Sequence, residues 1–119
     1  MKKFIHFGAF MLLILITGLD EPYYYGPYKP VFMLRTEMEK NVKFESPKPL
    51  VNPGKIYIKD HLLFINEKYH GIHTIDNSNP ENPVNLGFIR VDGCIDMAVK
   101  NDILYADNAV DLIALRIAE

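Results

Sequence analysis

Two histidines stand close together in the sequence, and their spacing decides whether they can share a metal ion. His70 and His73 are three positions apart in the run His-Gly-Ile-His. On a helix this spacing would place both imidazoles on one face, whereas on a strand such residues point to opposite faces. The neighbouring residues are typical of a strand, and no third ligand is adjacent. We therefore expect a turn position for His70, a strand position for His73, and no bound metal.

The other reactive side chains form no catalytic motif. The two serines, Ser46 and Ser78, do not stand in a Gly-x-Ser-x-Gly context, and no glycine-rich phosphate loop is present. The single cysteine, Cys94, excludes an internal disulfide and a multi-cysteine zinc site, and its apolar surroundings predict a small buried side chain. Five aspartates lack the spacing of a calcium loop and are interpreted as solvated loop charges: Asp92, Asp96, Asp102, Asp107 and Asp111. We therefore expect no catalytic residue, no cofactor and no enzymatic activity.

The charge of the chain argues against a nucleic-acid partner. The formal net charge is −2, from 13 basic and 15 acidic residues. Two of the basic residues, Lys2 and Lys3, stand at the N-terminus, so the net charge of the remainder is about −4. A phosphate backbone requires a basic patch, and no run of lysine and arginine follows. Nucleic acid is therefore excluded from the expected partners.

The N-terminal segment has the layout of a bacterial export signal. Lys2 and Lys3 form a positive start, and residues 4–19 are apolar apart from His6 and Thr17. The run is shorter than the about 20 apolar residues that a membrane span needs, and no pair of small residues suits a standard signal peptidase. We therefore expect residues 1–19 to act as a signal or membrane anchor, and the protein to be secreted or held in the bacterial cell envelope.

The end of this leader resembles a bacterial lipobox whose cysteine is missing. Residues 16–18 match its first three positions, and the acidic pair Asp20 and Glu21 follows, but the fourth position is Leu19, which has no thiol to acylate. An ordinary secretion signal with a weak cleavage site is the alternative interpretation. We predict that this chain is not acylated and that Leu19→Cys is. Metabolic labelling with a fatty-acid probe tests this, and an unlabelled cysteine variant would contradict it.

Short β-branched and aromatic runs, separated by turn residues, fill the rest of the chain. Residues 20–53 are interrupted by prolines and predict an extended tether and an irregular lead-in, with a first strand at residues 31–34 and no helix. From residue 54 onward the strands are evenly spaced, which is typical of a sandwich, barrel or propeller. We predict these strands at residues 55–58, 62–66, 71–75 and 84–91, with turns at 59–61 and 68–70.

The strands recur with a period near 40 residues. Residues 58–66 align with residues 99–107 at a spacing of 41 positions, and after a one-residue deletion residues 72–76 align with residues 112–116. A period of this length, with about four strands in each unit, is typical of β-propeller blades. We predict an all-β fold with one antiparallel four-stranded propeller-type blade and part of a second blade from Gly93 onward, preceded by the hydrophobic leader.

These repeats resemble the LVIVD repeats of a family of bacterial β-propeller proteins. Residues 72–76 (Ile-His-Thr-Ile-Asp) and 112–116 (Leu-Ile-Ala-Leu-Arg) are similar to the motif, and residues 76–83 are similar to the aspartate and double-proline joint that follows it. The second copy departs from the motif at Arg116, where aspartate is usual. Asp76 is expected to accept hydrogen bonds from the backbone of this joint. The resemblance implies an incomplete propeller over residues 54–119.

The resemblance implies a binding or display protein, since a fold alone assigns no reaction. The expected partners are an unidentified protein or carbohydrate, reached through the loops, and the membrane, reached through the N-terminal segment. Two alternatives remain open: a remnant of a larger propeller enzyme whose catalytic residues lie outside this chain, and an inert gene fragment. Because a lone blade cannot bury both faces, residues 30–119 alone are expected to self-associate or to stay partly disordered, through apolar side chains left exposed: Leu62, Phe64, Ile72, Ile103, Leu104 and Leu112.

Overall fold

The computed structural model describes residues 26–27 and 30–117. The fold below is that of the compact unit Met33–Glu119. The leader and most of the tether lie outside the described residues, so the expectations for them stay predictions. Within the part of the chain that is described, no helix has the length and apolar character needed to cross a membrane.

One short helix and eight strands make up this unit. The strands lie in two antiparallel sheets, one of five strands and one of three. The elements are α1 (Arg35–Asn41), β1 (Lys43–Glu45), β2 (Pro53–Lys59), β3 (Leu62–Glu67), β4 (Gly71–Asp76), β5 (Val84–Arg90), β6 (Met97–Lys100), β7 (Ile103–Asn108) and β8 (Asp111–Arg116).

The five-stranded sheet contains the four predicted strands and one additional strand. Strands β2 to β5 form a continuous meander, which confirms the four antiparallel strands expected between residues 54 and 92. Strand β1 then pairs with the outer edge of β5, so the sheet order is β1-β5-β4-β3-β2. The four-stranded prediction missed β1 because a three-residue strand gives no periodic signal of its own.

The three-stranded sheet repeats the first three strands of the blade. Its order is β6-β7-β8. Asp60 and Asn101 both have left-handed backbone, with φ of 52° and 54°, and they occupy matching positions of the first hairpin turn in each sheet. Tyr69 and Ala109 do the same in the second turn, with φ of 69° and 57°. The internal repeat found in the sequence is therefore a structural repeat, and the partial second unit is confirmed.

The segment before the blade differs from the expectation. Residues 31–34 form no strand, and helix α1 follows them directly. The Leu34 carbonyl accepts hydrogen bonds from the N–H groups of Glu37 and Met38, which starts the helix. An acidic residue in the first turn, a basic residue in the last turn and the buried Met38 support it. A seven-residue helix with a single buried side chain is too short to show helical periodicity, so the prediction of no helix was wrong.

The two sheets pack face to face, and the core lies between them. We call the side of the five-stranded sheet that faces β6, β7 and β8 its inner face; Phe64 and Ile72 lie on it, by the strand register. These two side chains pack with Cys94, Met97 and Leu104 in the main hydrophobic cluster. The expectation that Phe64, Ile72 and Leu104 would be exposed is therefore wrong, because the partial second sheet is large enough to cover them.

Each sheet has a second side that faces away from this core. The outer face of the five-stranded sheet carries Ile56, Ile58, Leu63, Ile65 and Ile75, which the register places on one side. We call the corresponding side of the three-stranded sheet its far face. The far face carries Ala98, Ile103, Tyr105, Leu112 and Ala114.

Candidate functional site

A cavity lies beside the outer face, where residues 48–52, which we call the lead-in segment, cross β3, β4 and β5. Its volume is about 490 Å³, and Glu67, His70, His73 and Arg90 are among the residues that line it. His70 lies in the turn before β4 and His73 lies within β4, as predicted. Both nevertheless border one cavity, because His70 precedes the strand and does not follow its alternation. Among the described residues, no cluster of three His, Cys, Asp or Glu suited to a metal ion occurs.

Two buried side chains in hydrogen-bond contact, Glu67 and His73, line this cavity. The His73 Nε2 atom lies 3.1 Å from the Glu67 carboxylate, and both side chains are buried. Glu67 also accepts hydrogen bonds from the backbone N–H groups of Val51, at 3.0 Å, and of Asn52. Burial opposes ionisation of Glu67, but these N–H groups and His73 together hold its pKa below its usual value. The carboxylate therefore ties the lead-in segment to the blade.

The same pair resembles part of a catalytic dyad, but its surroundings do not complete one. A catalytic histidine needs a nucleophile or substrate at its second ring nitrogen. The Nδ1 atom of His73 is buried and has no hydrogen-bond partner in the described part of the chain. The ring packs edge-on against Phe88, with 4.8 Å between centroids, and Lys48 lies 4.6 Å from the Phe88 centroid. The contacts of the pair therefore connect β3, β4 and the lead-in segment.

The cysteine is placed where its thiol is inert. Cys94 is buried, as predicted, in the connection between the two sheets. Burial, followed by the neighbouring Asp107 carboxylate, raises the pKa of the thiol to about 12. The Cys94 carbonyl accepts hydrogen bonds from the Tyr69 N–H, at 2.7 Å, and from the Asn66 amide, at 3.3 Å. This segment therefore joins the two sheets and offers no nucleophile.

The five aspartates have structural partners rather than a common ligand. Asp107 lies within β7, half-buried, and accepts hydrogen bonds from the N–H groups of Ile95 and Asp96, both at 2.8 Å, so its interpretation as a solvated loop charge is wrong. The remaining four form ion pairs at the surface or its edge, which contribute little stability each. These pairs join Asp92 to Arg90, Asp96 to Lys55, Asp102 to Lys59 and Asp111 to Arg35.

An apolar groove opens between the two sheets where the smaller one ends. We define it by Phe44, Leu86 and Ile89 on one wall and Leu115 and Ile117 on the other, and its volume is about 740 Å³. It exists because the sheets have unequal numbers of strands. The inner face of the larger sheet continues across β5 and β1, whereas the smaller sheet stops at β8.

The groove adjoins a free strand edge. Strand β8 pairs with β7 on one side, and no strand of the described residues pairs with its other side. The repeat-equivalent strand β4 is paired on both sides, by β3 and β5. The sequence did not predict this groove, since it depends on β1 and on the position of Phe44, and the short run Lys-Phe-Glu was the only signal for that strand.

No protein-family model, no curated protein and no solved structure matches this chain.

Proposed function

We propose that this protein is a non-catalytic binding module, exported to the cell envelope or secreted, that takes up an extended segment of a partner protein as an additional strand on β8. The observation that carries the proposal is the free β8 edge beside the apolar groove. Strand addition combines backbone hydrogen bonds, which give affinity, with pockets for alternate side chains, which give specificity. The export half of the proposal rests on the leader sequence.

The backbone of β8 has the hydrogen-bonding groups that such a strand requires. The Ile117 N–H donates to the Asp102 carbonyl at 2.8 Å, in continuation of the β7–β8 register. Hydrogen-bonded and non-hydrogen-bonded pairs alternate along an antiparallel ladder. The N–H and C=O groups of Ala114 therefore point away from β7, toward the free edge, as do those of Leu112 and Arg116.

The larger sheet indicates what an occupant looks like. Strand β5 pairs with β4 in the position that is open beside β8, and its sequence is Val-Asn-Leu-Gly-Phe-Ile-Arg. Two of its side chains, Leu86 and Ile89, line the apolar groove. A partner segment paired with β8 would lie on the side of the groove opposite Leu86 and Ile89. Apolar side chains on one face of that segment would then point into the groove. We therefore expect an extended, alternately apolar peptide and favour it over a carbohydrate.

A peptide with the sequence of residues 84–90 is the probe that tests this proposal. Fluorescence anisotropy of the labelled peptide should rise on titration with the full chain. Ala114→Pro removes the outward N–H, so we expect at least a tenfold loss of affinity, about 1.4 kcal/mol. Ala114→Ser keeps the N–H and serves as the matched control. No binding to the unmodified chain, or equal binding to both variants, would contradict strand addition.

A further inference from the structure

We propose that copies of this chain stack head to tail, with the outer face of one copy against the far face of the next. This inference concerns surfaces other than the β8 edge and is independent of the strand-addition proposal. It follows from the way in which the two repeats within one chain already pack. The occupant of each exposed face is thus a second copy of the same chain.

The contact between the two sheets is itself a head-to-tail contact between repeats. The inner face of the larger sheet carries Tyr57, Leu62, Phe64 and Ile72. The residues at the matching repeat positions of the smaller sheet are Ala98, Ile103, Tyr105 and Leu112, which form its far face. The side of the smaller sheet that faces the core carries residues whose repeat equivalents lie on the outer face of the larger sheet. The chain therefore buries one kind of face against the other kind. Among the described residues, it leaves part of one face of each kind exposed: on the outer face the lead-in segment covers Glu67, and Ile56 and Ile58 stay exposed.

Matching positions have opposite exposure for this reason. On one kind of face, Met97 is 3% exposed within the core, whereas its counterpart Ile56 on the outer face is 57% exposed. On the other kind, Ile72 is 0% exposed and its counterpart Leu112 on the far face is 72% exposed. The exposed side chains Ile56 and Leu112 are thus apolar and stand at positions whose counterparts in the other repeat are packed in the core. Contiguous exposed apolar surface of this kind marks an interaction site.

The symmetry of the repeat predicts the geometry of the contact between copies. Because the two exposed faces differ, the contact is heterologous, and each copy offers one face of each kind. Within the chain, the Tyr57 hydroxyl donates to the Val99 carbonyl at 2.9 Å, which brings β2 and β6 together. The repeat equivalents of these residues are Ala98 and Ile58. We therefore expect Ala98 of one copy to lie beside Ile58 of the next.

Thiol crosslinking of full-length chains tests this arrangement. Two differently tagged copies, one with Ile58→Cys and one with Ala98→Cys, are expressed together and treated with a short bis-maleimide. Both positions are exposed, so neither change removes a core side chain. The unmodified chain is the background control, because its buried Cys94 thiol has a pKa of about 12 and reacts poorly. We expect a crosslinked species that carries both tags.

Three further measurements separate the possible outcomes. Ile56→Lys, added to the Ile58→Cys copy, places a charge in the outer face and should reduce the crosslinked fraction at least tenfold. Val84→Lys changes a similarly exposed apolar residue, which the register places on the inner side of the larger sheet and outside both proposed contact faces, and it should leave the crosslinked fraction unchanged. Either cysteine copy expressed alone should give no crosslink. Absence of the mixed species, or efficient crosslinking of one cysteine copy with itself, would overturn the head-to-tail arrangement.

Discussion

The two sheets share the strand register of their hairpins, with a second loop one residue shorter in the smaller sheet, and differ in what lies beside them. The larger sheet is closed on the side of β4 by β5, β1 and the lead-in segment, whereas the smaller one ends at β8. The register and the left-handed turn residues are nevertheless repeated from one sheet to the other. The repeat therefore sets local backbone geometry, and the neighbouring elements decide which side chains become buried.

Gly71 and Asp111 show this difference at one position. Both begin the third strand of their repeat, but Gly71 has a φ of 148°, a backbone conformation that side chains rarely adopt. A Cβ atom there would lie 2.1 Å from the Ile89 carbonyl of the adjacent strand β5. Asp111 has no such neighbour among the described strands, and its side chain instead forms an ion pair with Arg35. The close approach of β5 thus leaves no room for a side chain at Gly71, whereas the position of Asp111 tolerates one.

The largest expected effect tests whether matching positions of the two sheets differ in burial. Ile72→Ala empties a fully buried position and should lower the free energy of unfolding by about 2–5 kcal/mol. The matching change Leu112→Ala truncates an exposed side chain and should stay within about 0.5 kcal/mol for the unstacked chain. Urea unfolding at low protein concentration, followed by circular dichroism, measures both. An equal loss of unfolding free energy in both variants would show that the two positions are buried to the same extent.

A smaller effect concerns the carboxylate that holds the lead-in segment to the blade. The folded-state pKa of Glu67 is lowered, so its stabilisation is complete above its ordinary pKa of 4.5 and is lost as the pH falls through the folded value. Glu67→Gln should cost about 1–2 kcal/mol at pH 7 and flatten the stability profile below pH 5. The matching residue Asn108, also buried, carries no charge, so Asn108→Ala should leave the profile unchanged in shape. Unfolding midpoints at a series of pH values measure this. The prediction is contradicted if the stability of Glu67→Gln falls below pH 5 as steeply as that of the unmodified chain.

The smallest expected effect compares Asp76 and Arg116, the last residues of the two segments that resemble the repeat motif. Asp76 accepts hydrogen bonds from the N–H of Ser78, at 2.8 Å, and from its hydroxyl, and the hydroxyl contributes most to lowering the pKa of Asp76. Asp76→Ala should therefore lower the unfolding temperature, because the turn loses both hydrogen bonds to Ser78. At the matching position, Arg116→Ala should stay within about 0.5 kcal/mol, because that exposed side chain fixes no turn. Thermal unfolding of the two variants measures this difference. A larger decrease in unfolding temperature for Arg116→Ala than for Asp76→Ala would contradict it.

Several local features followed from the sequence because each depends on residues that are neighbours in the chain. The four strands between residues 54 and 92, the partial second unit from Gly93, both hairpin turns and the role of Asp76 in the joint after β4 were all predicted. Helix α1 and strand β1 were not, because each is short and is supported by contacts with residues distant in the sequence. Arg35 of the helix reaches Asp111, and Phe44 of the strand packs over Gly87.

The candidate site depended on the tertiary structure in the same way. The sequence by itself determined an all-β chain with a 40-residue repeat, since alternating apolar residues and turn residues specify hairpins locally. It did not determine that Phe64 and Ile72 would be buried while Leu112 would not, or that Glu67 would meet His73 and the lead-in segment. Only the packing of two sheets with unequal numbers of strands decided these points, because burial and open edges depend on which elements lie opposite one another, and hairpin patterns specify no such partner.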